Sequence, residues 1–331
     1  MKSDSQASTT SIVVMGGGTG IYPVVSALKQ LLLDITTIIA ASDSGGSTGR
    51  IRDEFGFPPV GDLRQSLAAL ADDEAAREIR TLLLYRFEKG SGLKGHNLGN
   101  LILTALQDIT GSTTKALEEA ARIFRINGRV IPVTEEAVQL KIMYTDGTEA
   151  VGEHILDETT DKPKPIDHVT LTPDCQINPA ARAAIQQADY CIIGPGDLYA
   201  SLLAVLVTPG LKEVLQQSNT PIIYISNLMT RASQTANMTA RDHVVAIEHA
   251  IGKAVSTILI HQGDIPKEIL KTYADVGEYP VLDDLETDSR VIRTNLLQNM
   301  SHSQSSSDTV RRSLLRHSTA RLKTVLSQIV Q

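Results

Sequence analysis

The chain has 331 residues, 42% of them hydrophobic, which allows one large α/β domain or two smaller ones with a sizeable core. It is acidic (net charge −7), has 4% aromatic residues and lacks tryptophan, which excludes a broad basic face and a stacking platform for nucleic acid. Cys175 and Cys191 make no C-x-x-C pair, and no apolar run approaches the roughly 20 residues of a membrane span, so a soluble cytoplasmic protein is expected.

Residues 1–10 (MKSDSQASTT) read as a disordered leader without the apolar core of a signal peptide. Strand one, Ile12–Met15, runs straight into a glycine cluster, GGGTG. The segment Tyr22–Leu33 places Val24, Val25, Leu28, Leu31 and Leu32 at helical spacing. ITTIIAA (35–41) is short and β-branched, and reads as a second buried strand. Strand, glycine turn, helix, strand opens a doubly wound parallel sheet, so the expected fold class is α/β.

Residues 42–62 make a loop too long to be a passive connection. Helices are expected from Asp62, over 75–88, over 98–109, and over 112–126 with a serine and threonines to cap it. VQLKIMYTDGTEAVGEHIL alternates on either side of Asp146-Gly147, a type I′ hairpin signal that interrupts the α/β pattern over about 137–157. VTLTPD (169–174) is expected to return toward the core, and Asn178 or Pro179 to open a helix to Ala188. YCIIGPGDLYASLLAVLV repeats the opening architecture, and TPIIYISNLMT and AVSTILIHQ supply further buried strands. SHSQSSSD (301–308) reads as a serine-rich linker, and 309–331 as a basic amphipathic helix carrying Arg311, Arg312, Arg316, Arg321 and Lys323.

Parallel sheets bind ligands at the carboxyl ends of their strands, where four polar turns are expected: 16–20, 42–50, 194–201 and 226–230. In the first, Gly16, Gly17, Gly18, Thr19 and Gly20 precede a helix whose N-terminal amides and partial positive charge suit phosphate. The alternative is a tight turn with close helix–strand packing. The cluster departs from the dinucleotide fingerprint, whose third glycine position holds Ile21, and from the P-loop, since no lysine follows before Lys29. An NAD-dependent oxidoreductase and a P-loop ATPase are therefore disfavoured.

In the second turn, Asp43 stands where an acid would meet a ribose, hold a metal or cap the loop. Ser44 and Ser47, beside Gly45 and Gly46, form a nest-like anion cup, and Arg50 pairs with phosphate or with nearby acids. Asp62 and Arg64 open the next helix, Asp62 as a site acid or as a plain N-cap. In GHNLGN, His96 reads as structural, whereas Asn97 and Asn100 face one pocket if they recognise sugar or base. Neither a nucleophile motif nor a zinc pattern occurs.

GGGTG, ASDSGGSTGRIR, PPVGDLRQSLAAL, GHNLGN, IIGPGDLYASL and SNLMT, in that order, resemble the YvcK-like gluconeogenesis-factor family, a relative of CofD, the 2-phospho-L-lactate transferase; the likeness runs over about residues 12–296. It implies a three-layer α/β/α Rossmann-like domain over residues 11–300, mainly parallel with an antiparallel hairpin excursion. It also implies a homodimer that binds UDP-sugars, notably UDP-N-acetylglucosamine, and influences cell shape, cell-wall synthesis and central carbon use. The CofD branch implies an alternative, Mg2+-dependent transfer of a phospholactyl group from a nucleoside diphosphate carrier. By the same likeness, the 16–20 turn, Asp43, Asp62, Asn97, Asn100, Gly194, Gly196, Asp197, Ser201 and Asn227 line the nucleotide site, and Asp43 and Asp62 are the metal ligands. Tyr273 stacks on uracil, and Arg316 of LLRHSTARL contacts the ligand. Ser44 departs from the family's second aspartate, which weakens a two-carboxylate magnesium site, and Ser318 replaces a terminal aspartate.

Overall fold

The computed structural model describes residues 9–42, 55–71, 76–157, 164–298 and 314–330. Its strands are β1 (Ser11–Gly16), β2 (Asp34–Ile39), β3 (Arg129–Pro132), β4 (Gln139–Tyr144), β5 (Glu149–Val151), β6 (Ile166–Thr172), β7 (Tyr190–Ile193), β8 (Ile222–Ile225), β9 (Thr257–His261) and β10 (Val291–Thr294). Seven make one parallel sheet in the order β10-β9-β8-β7-β1-β2-β3. The other three make a small antiparallel sheet, β5-β4-β6.

Strand composition explains the layers. In β1, Ile12 and Val14 join the apolar cluster on one face of the sheet, and Val13 and Met15 the cluster on the other. Strands apolar on both faces must be covered on both. The helices Tyr22–Lys29, Gly61–Leu70, Arg77–Leu84, Leu98–Thr110 and Thr113–Phe124 cover the first face. The helices Pro179–Gln187, Leu211–Gln217 and Ala240–Ile251, with the small sheet, cover the second.

Right-handed crossovers account for this division. From β1 the chain steps outward to β2 and β3, then returns to β7 on the other side of β1 and steps outward in the opposite direction. The connecting helices therefore change face at the β1–β7 boundary. The first face of β7, β8 and β9, with Ile192, Ile223 and Leu259 buried, then needs a cover that no crossover supplies. The helix Thr319–Val330 provides it: Leu322, Val325, Leu326 and Val330 join that cluster, and the helix packs on Tyr22–Lys29.

Several expected boundaries are revised. The first helix ends at Lys29, not Leu33; Leu32 sits in a left-handed turn (φ 54) and is 88% exposed. The helix expected over 75–88 is described as Arg77–Leu84, with Leu83 as its buried residue. At the hairpin only Gly147 takes positive φ (81), and Tyr144 N donates to Thr148 O at 3.0 Å; this is a three-residue loop rather than a type I′ turn. VTLTPD falls largely in β6, which pairs antiparallel with β4 in the small sheet, and its Val169 joins the core on the second face. β3 and β10 were not foreseen: RVIP is short and ends in proline, and VIRT mixes polar with apolar positions. The expected C-terminal helix begins only at Thr319, and Leu297 and His317 form an antiparallel bridge ahead of it. Residues 1–8 of the expected leader, the linker 301–308, and Arg311 and Arg312 lie outside the described residues. Among the described residues no single helix is long and apolar enough to cross a membrane.

Leu67 is fully buried in the first-face cluster. Leu67→Ala should cost about 2–5 kcal/mol, seen as a lowered urea midpoint with an unchanged slope.

Candidate functional site

Opposite directions of winding at β1 and β7 place the sheet's switch point, the usual ligand crevice of such folds, at the carboxyl ends of these neighbouring strands. The turn after β1 is wedged between two others. A Cβ on Gly17 would lie 2.6 Å from Ser201 Oγ and 2.9 Å from Asp62 Oδ2. On Gly18 it would meet Asp62 O at 2.6 Å, and on Gly20 it would meet Pro195 O at 2.4 Å. Close packing alone therefore demands glycine at these three positions. Gly16, Gly194 and Gly196 pack against Leu202, which is fully buried beneath them. From the turn after β8, Asn227 donates its Nδ2 hydrogen to Gly196 O at 2.8 Å, while its buried Oδ1 has no hydrogen-bond partner.

Helix starts around the fold are capped unequally, and Arg77–Leu84, Leu211–Gln217 and Lys267–Ala274 lack a side-chain cap away from this place. Each helix start carries amides that need acceptors. The helix Leu98–Thr110 is capped by Asn97, Pro179–Gln187 by Asn178, and Ala240–Ile251 by a Thr239–Asp242 capping box. The helix Thr113–Phe124 is satisfied by Glu135, whose carboxylate accepts from Thr113 N and Thr114 N, both at 3.0 Å. By contrast, Tyr22–Lys29, Gly61–Leu70 and the π-helical turn Leu198–Leu203 have no side-chain cap, and these three start at the crevice. The cap position before Gly61 is Val60, so Asp62 is not the N-cap; it lies in the first turn, beside Gly17.

Other expected site residues make contacts within the fold. Arg64, Asn97 and Asn100 form a buried knot that joins three helices, Gly61–Leu70, Arg77–Leu84 and Leu98–Thr110. Arg64 Nε donates to Asn100 Oδ1 at 2.7 Å and Nη1 to Leu83 O at 3.2 Å, while Asn97 Oδ1 accepts Asn100 N. Asp197 accepts Ser201 N and Leu202 N on its backbone carbonyl and pairs through its carboxylate with Arg231 at 3.4 Å. Arg231 also meets Glu278 at 3.2 Å. Thr19 and Gly20 lie in the first turn. Asp43, Ser44, Gly45, Gly46, Ser47 and Arg50 lie outside the described residues, and so does one of the two expected metal ligands. Among the described residues no group of three histidine, cysteine or carboxylate side chains is placed to hold a metal ion.

Tyr273 is 7% exposed, packed with Leu228, Met229, Ile269, Leu297 and Leu315, and its hydroxyl accepts Leu315 N at 3.1 Å. Here it anchors the C-terminal segment instead of offering a free face to a base. Arg316 is on that segment, its carbonyl accepting Gln298 N at 2.9 Å. Its neighbour His317, the histidine of LLRHSTARL, is 7% exposed and donates from Nε2 to Ser226 O at 3.2 Å.

His317 and His243 are buried, and His261 half-buried, as neutral rings. Burial pushes His317 down to about 4, with His261 adding to the shift and the bond to Ser226 opposing it. Burial likewise lowers His261, aided by Arg321, and lowers His243. Each folded pKa lies below its unfolded value, so the unfolded chain takes up protons first as pH falls. The stability held by these neutral rings is complete above pH of about 6.5 and is lost progressively as pH drops toward about 4. Urea midpoints should fall between about pH 7 and about pH 5, and His317→Gln should flatten that slope. Gly20→Ala, which drives a methyl into Pro195 O, should cost about 1–3 kcal/mol and part the two turns, read by urea unfolding.

Residues 12–300 match the CofD family, described as 2-phospho-L-lactate transferase CofD. A gluconeogenesis factor from Bacillus subtilis (strain 168) is 40% identical over 278 residues, covering 83% of this chain and 86% of the relative. A gluconeogenesis factor from Halalkalibacterium halodurans is 38% identical over 276 residues, covering 83% of this chain and 84% of the relative. A relative from Nostoc sp. is 39% identical over 291 residues, 87% of this chain, and the chain spans 63% of that relative's length. The crystal structure of a UPF0052-family protein from Bacillus halodurans superposes with a TM-score of 0.86 at 33% identity, covering 97% of this chain and 99% of that one. With the parallel sheet, its switch point and the glycine turns in the expected order, the chain belongs to the CofD family, alongside its gluconeogenesis factors.

Proposed function

We propose that this chain is a UDP-sugar-binding regulatory protein, with UDP-N-acetylglucosamine as ligand and with cell shape, cell-wall synthesis and central carbon metabolism as the processes it serves. The observation that carries the reading is the convergence of three uncapped helix N-termini on one crevice. Their amides and dipoles suit a diphosphate, which needs no lysine for that purpose. The unpartnered Oδ1 of Asn227 supplies an acceptor for a hydroxyl or base N–H. Uridine and the acetylated sugar follow from the family likeness, and the carbon-metabolism role from the relatives' designation as gluconeogenesis factors. The turns that meet here carry neither histidine nor cysteine among their described residues, which favours binding over turnover.

Asp62 favours a second reading, a CofD-like phospholactyl transferase. A carboxylate against Gly17 repels a bare diphosphate, and suits a sugar hydroxyl or a Mg2+ ion shared with the phosphates. One carboxylate with substrate oxygens fits Mg2+, so Asp62 would hold the ion, with Ser201 Oγ the neighbouring oxygen. Bound there, Mg2+ would neutralise charge on the diphosphate.

Calorimetry separates the two. UDP-N-acetylglucosamine should bind with an affinity that Mg2+ changes by less than about threefold, and Asp62→Asn should leave that indifference intact. Tight GDP binding that requires Mg2+ and vanishes in Asp62→Asn would turn the assignment to the transferase. An absence of heat and of thermal stabilisation with UDP-N-acetylglucosamine would overturn the leading reading.

A further inference from the structure

We propose that the C-terminal strap, residues 315–330, is a positioning element of the crevice: His317 and the helix Thr319–Val330 hold two of its walls in register. The proposal rests on the crevice being the nucleotide site.

The first attachment is polar. The bond from His317 Nε2 goes to Ser226 O, the carbonyl immediately before Asn227, at 3.2 Å. Asn227 in turn ties the β8 turn to Gly196 in the β7 turn. The ring is held by backbone on both sides: Gln298 N donates to Arg316 O at 2.9 Å, and Ser318 N donates to Leu296 O at 2.7 Å. A buried N–H aimed at one carbonyl fixes the turn that carries it, because a displaced turn would strand both groups without partners.

The second attachment is apolar. Leu322 and Leu326, both fully buried, share a cluster with Val25 and Leu28 of the helix that the glycine turn starts. The strap thus joins a wall built on β1 to a wall built on β8, two strands that are not neighbours in the sheet. A ligand that needs both walls aligned must, by linkage, favour the docked strap to the same degree that the docked strap favours the ligand.

The test uses the full chain. Amide hydrogen exchange is followed in residues 319–330 and 17–21 without ligand, and UDP-N-acetylglucosamine affinity by calorimetry. Leu326→Ala should raise exchange in both segments and weaken UDP-N-acetylglucosamine by about tenfold. His317→Ala should weaken it comparably, and His317→Asn, which keeps an N–H donor, should recover part of the loss. Val214→Ala, a core change on the opposite face, should leave affinity within about twofold even at equal loss of stability. UDP-N-acetylglucosamine should slow exchange in 319–330 by the factor that separates its affinities. Faster exchange in 319–330 with unchanged exchange in 17–21 and unchanged affinity would overturn the proposal. Should wild-type protein bind no UDP-N-acetylglucosamine, the functional reading fails, and exchange in 17–21 of His317→Ala and Leu326→Ala decides the strap on its own. Leu326→Ala bears on the helix and His317→Ala on the turn, so misfolding of one variant leaves the other to decide.

Discussion

A crossover between parallel strands turns to the right, and this chain makes two crossovers outward from β1 in one direction and three outward from β7 in the other. From that handedness follow the two helical layers, the switch point at the β1 and β7 turns, and the bare stretch on the first face of β7, β8 and β9. The switch point is where a ligand can lie against backbone amides. The bare stretch is why the chain, having completed its sheet at β10, sends one more helix back over β1. Site and C-terminal helix are thus two outcomes of one topological fact.

The glycines of the first turn have two reasons to be glycine, and the structure ranks them. Gly17, Gly18 and Gly20 are pressed against Ser201, Asp62 and Pro195 at distances no Cβ tolerates, so packing requires them whether or not a ligand binds. Ligand chemistry shows instead in what is missing around them. Four helix starts are satisfied by Asn97, Asn178, Glu135 and the Thr239–Asp242 pair, whereas the three that meet at the crevice have no side-chain cap, as have Arg77–Leu84, Leu211–Gln217 and Lys267–Ala274 away from it. Leaving amides without caps costs stability wherever water is excluded, and such sites are kept where an anion completes them.

Polar groups buried near the site split into those that bind structure and those left without a partner. Arg64 is the plainest case of the first: a guanidinium at a helix start invites a phosphate partner, yet its fork is occupied by Asn100 and Leu83. Asn227 does both, spending its amide N–H on Gly196 and leaving its oxygen unpartnered. His317 links the two kinds, since its ring is structural but the carbonyl it holds belongs to the crevice turn.

Local pattern was enough for the α/β class, the glycine turns at 16–20 and 194–201, most helices and the antiparallel excursion, because apolar periodicity and turn chemistry are properties of neighbouring residues. Motif order carried the family. Short or mixed strands such as RVIP and VIRT were invisible, since their pairing partners lie far along the chain. So were the fates of Arg64, Asn97, Asn100 and Tyr273, whose roles depend on which groups from other elements reach them first. By itself the sequence determined which segments are helix, turn or buried strand and which turns are rich in anion-binding groups. Only the tertiary structure decided which helix starts remain uncapped, that Asp62 stands against Gly17, and that His317 grips Ser226. Those facts are contacts between distant segments, and no local preference encodes them.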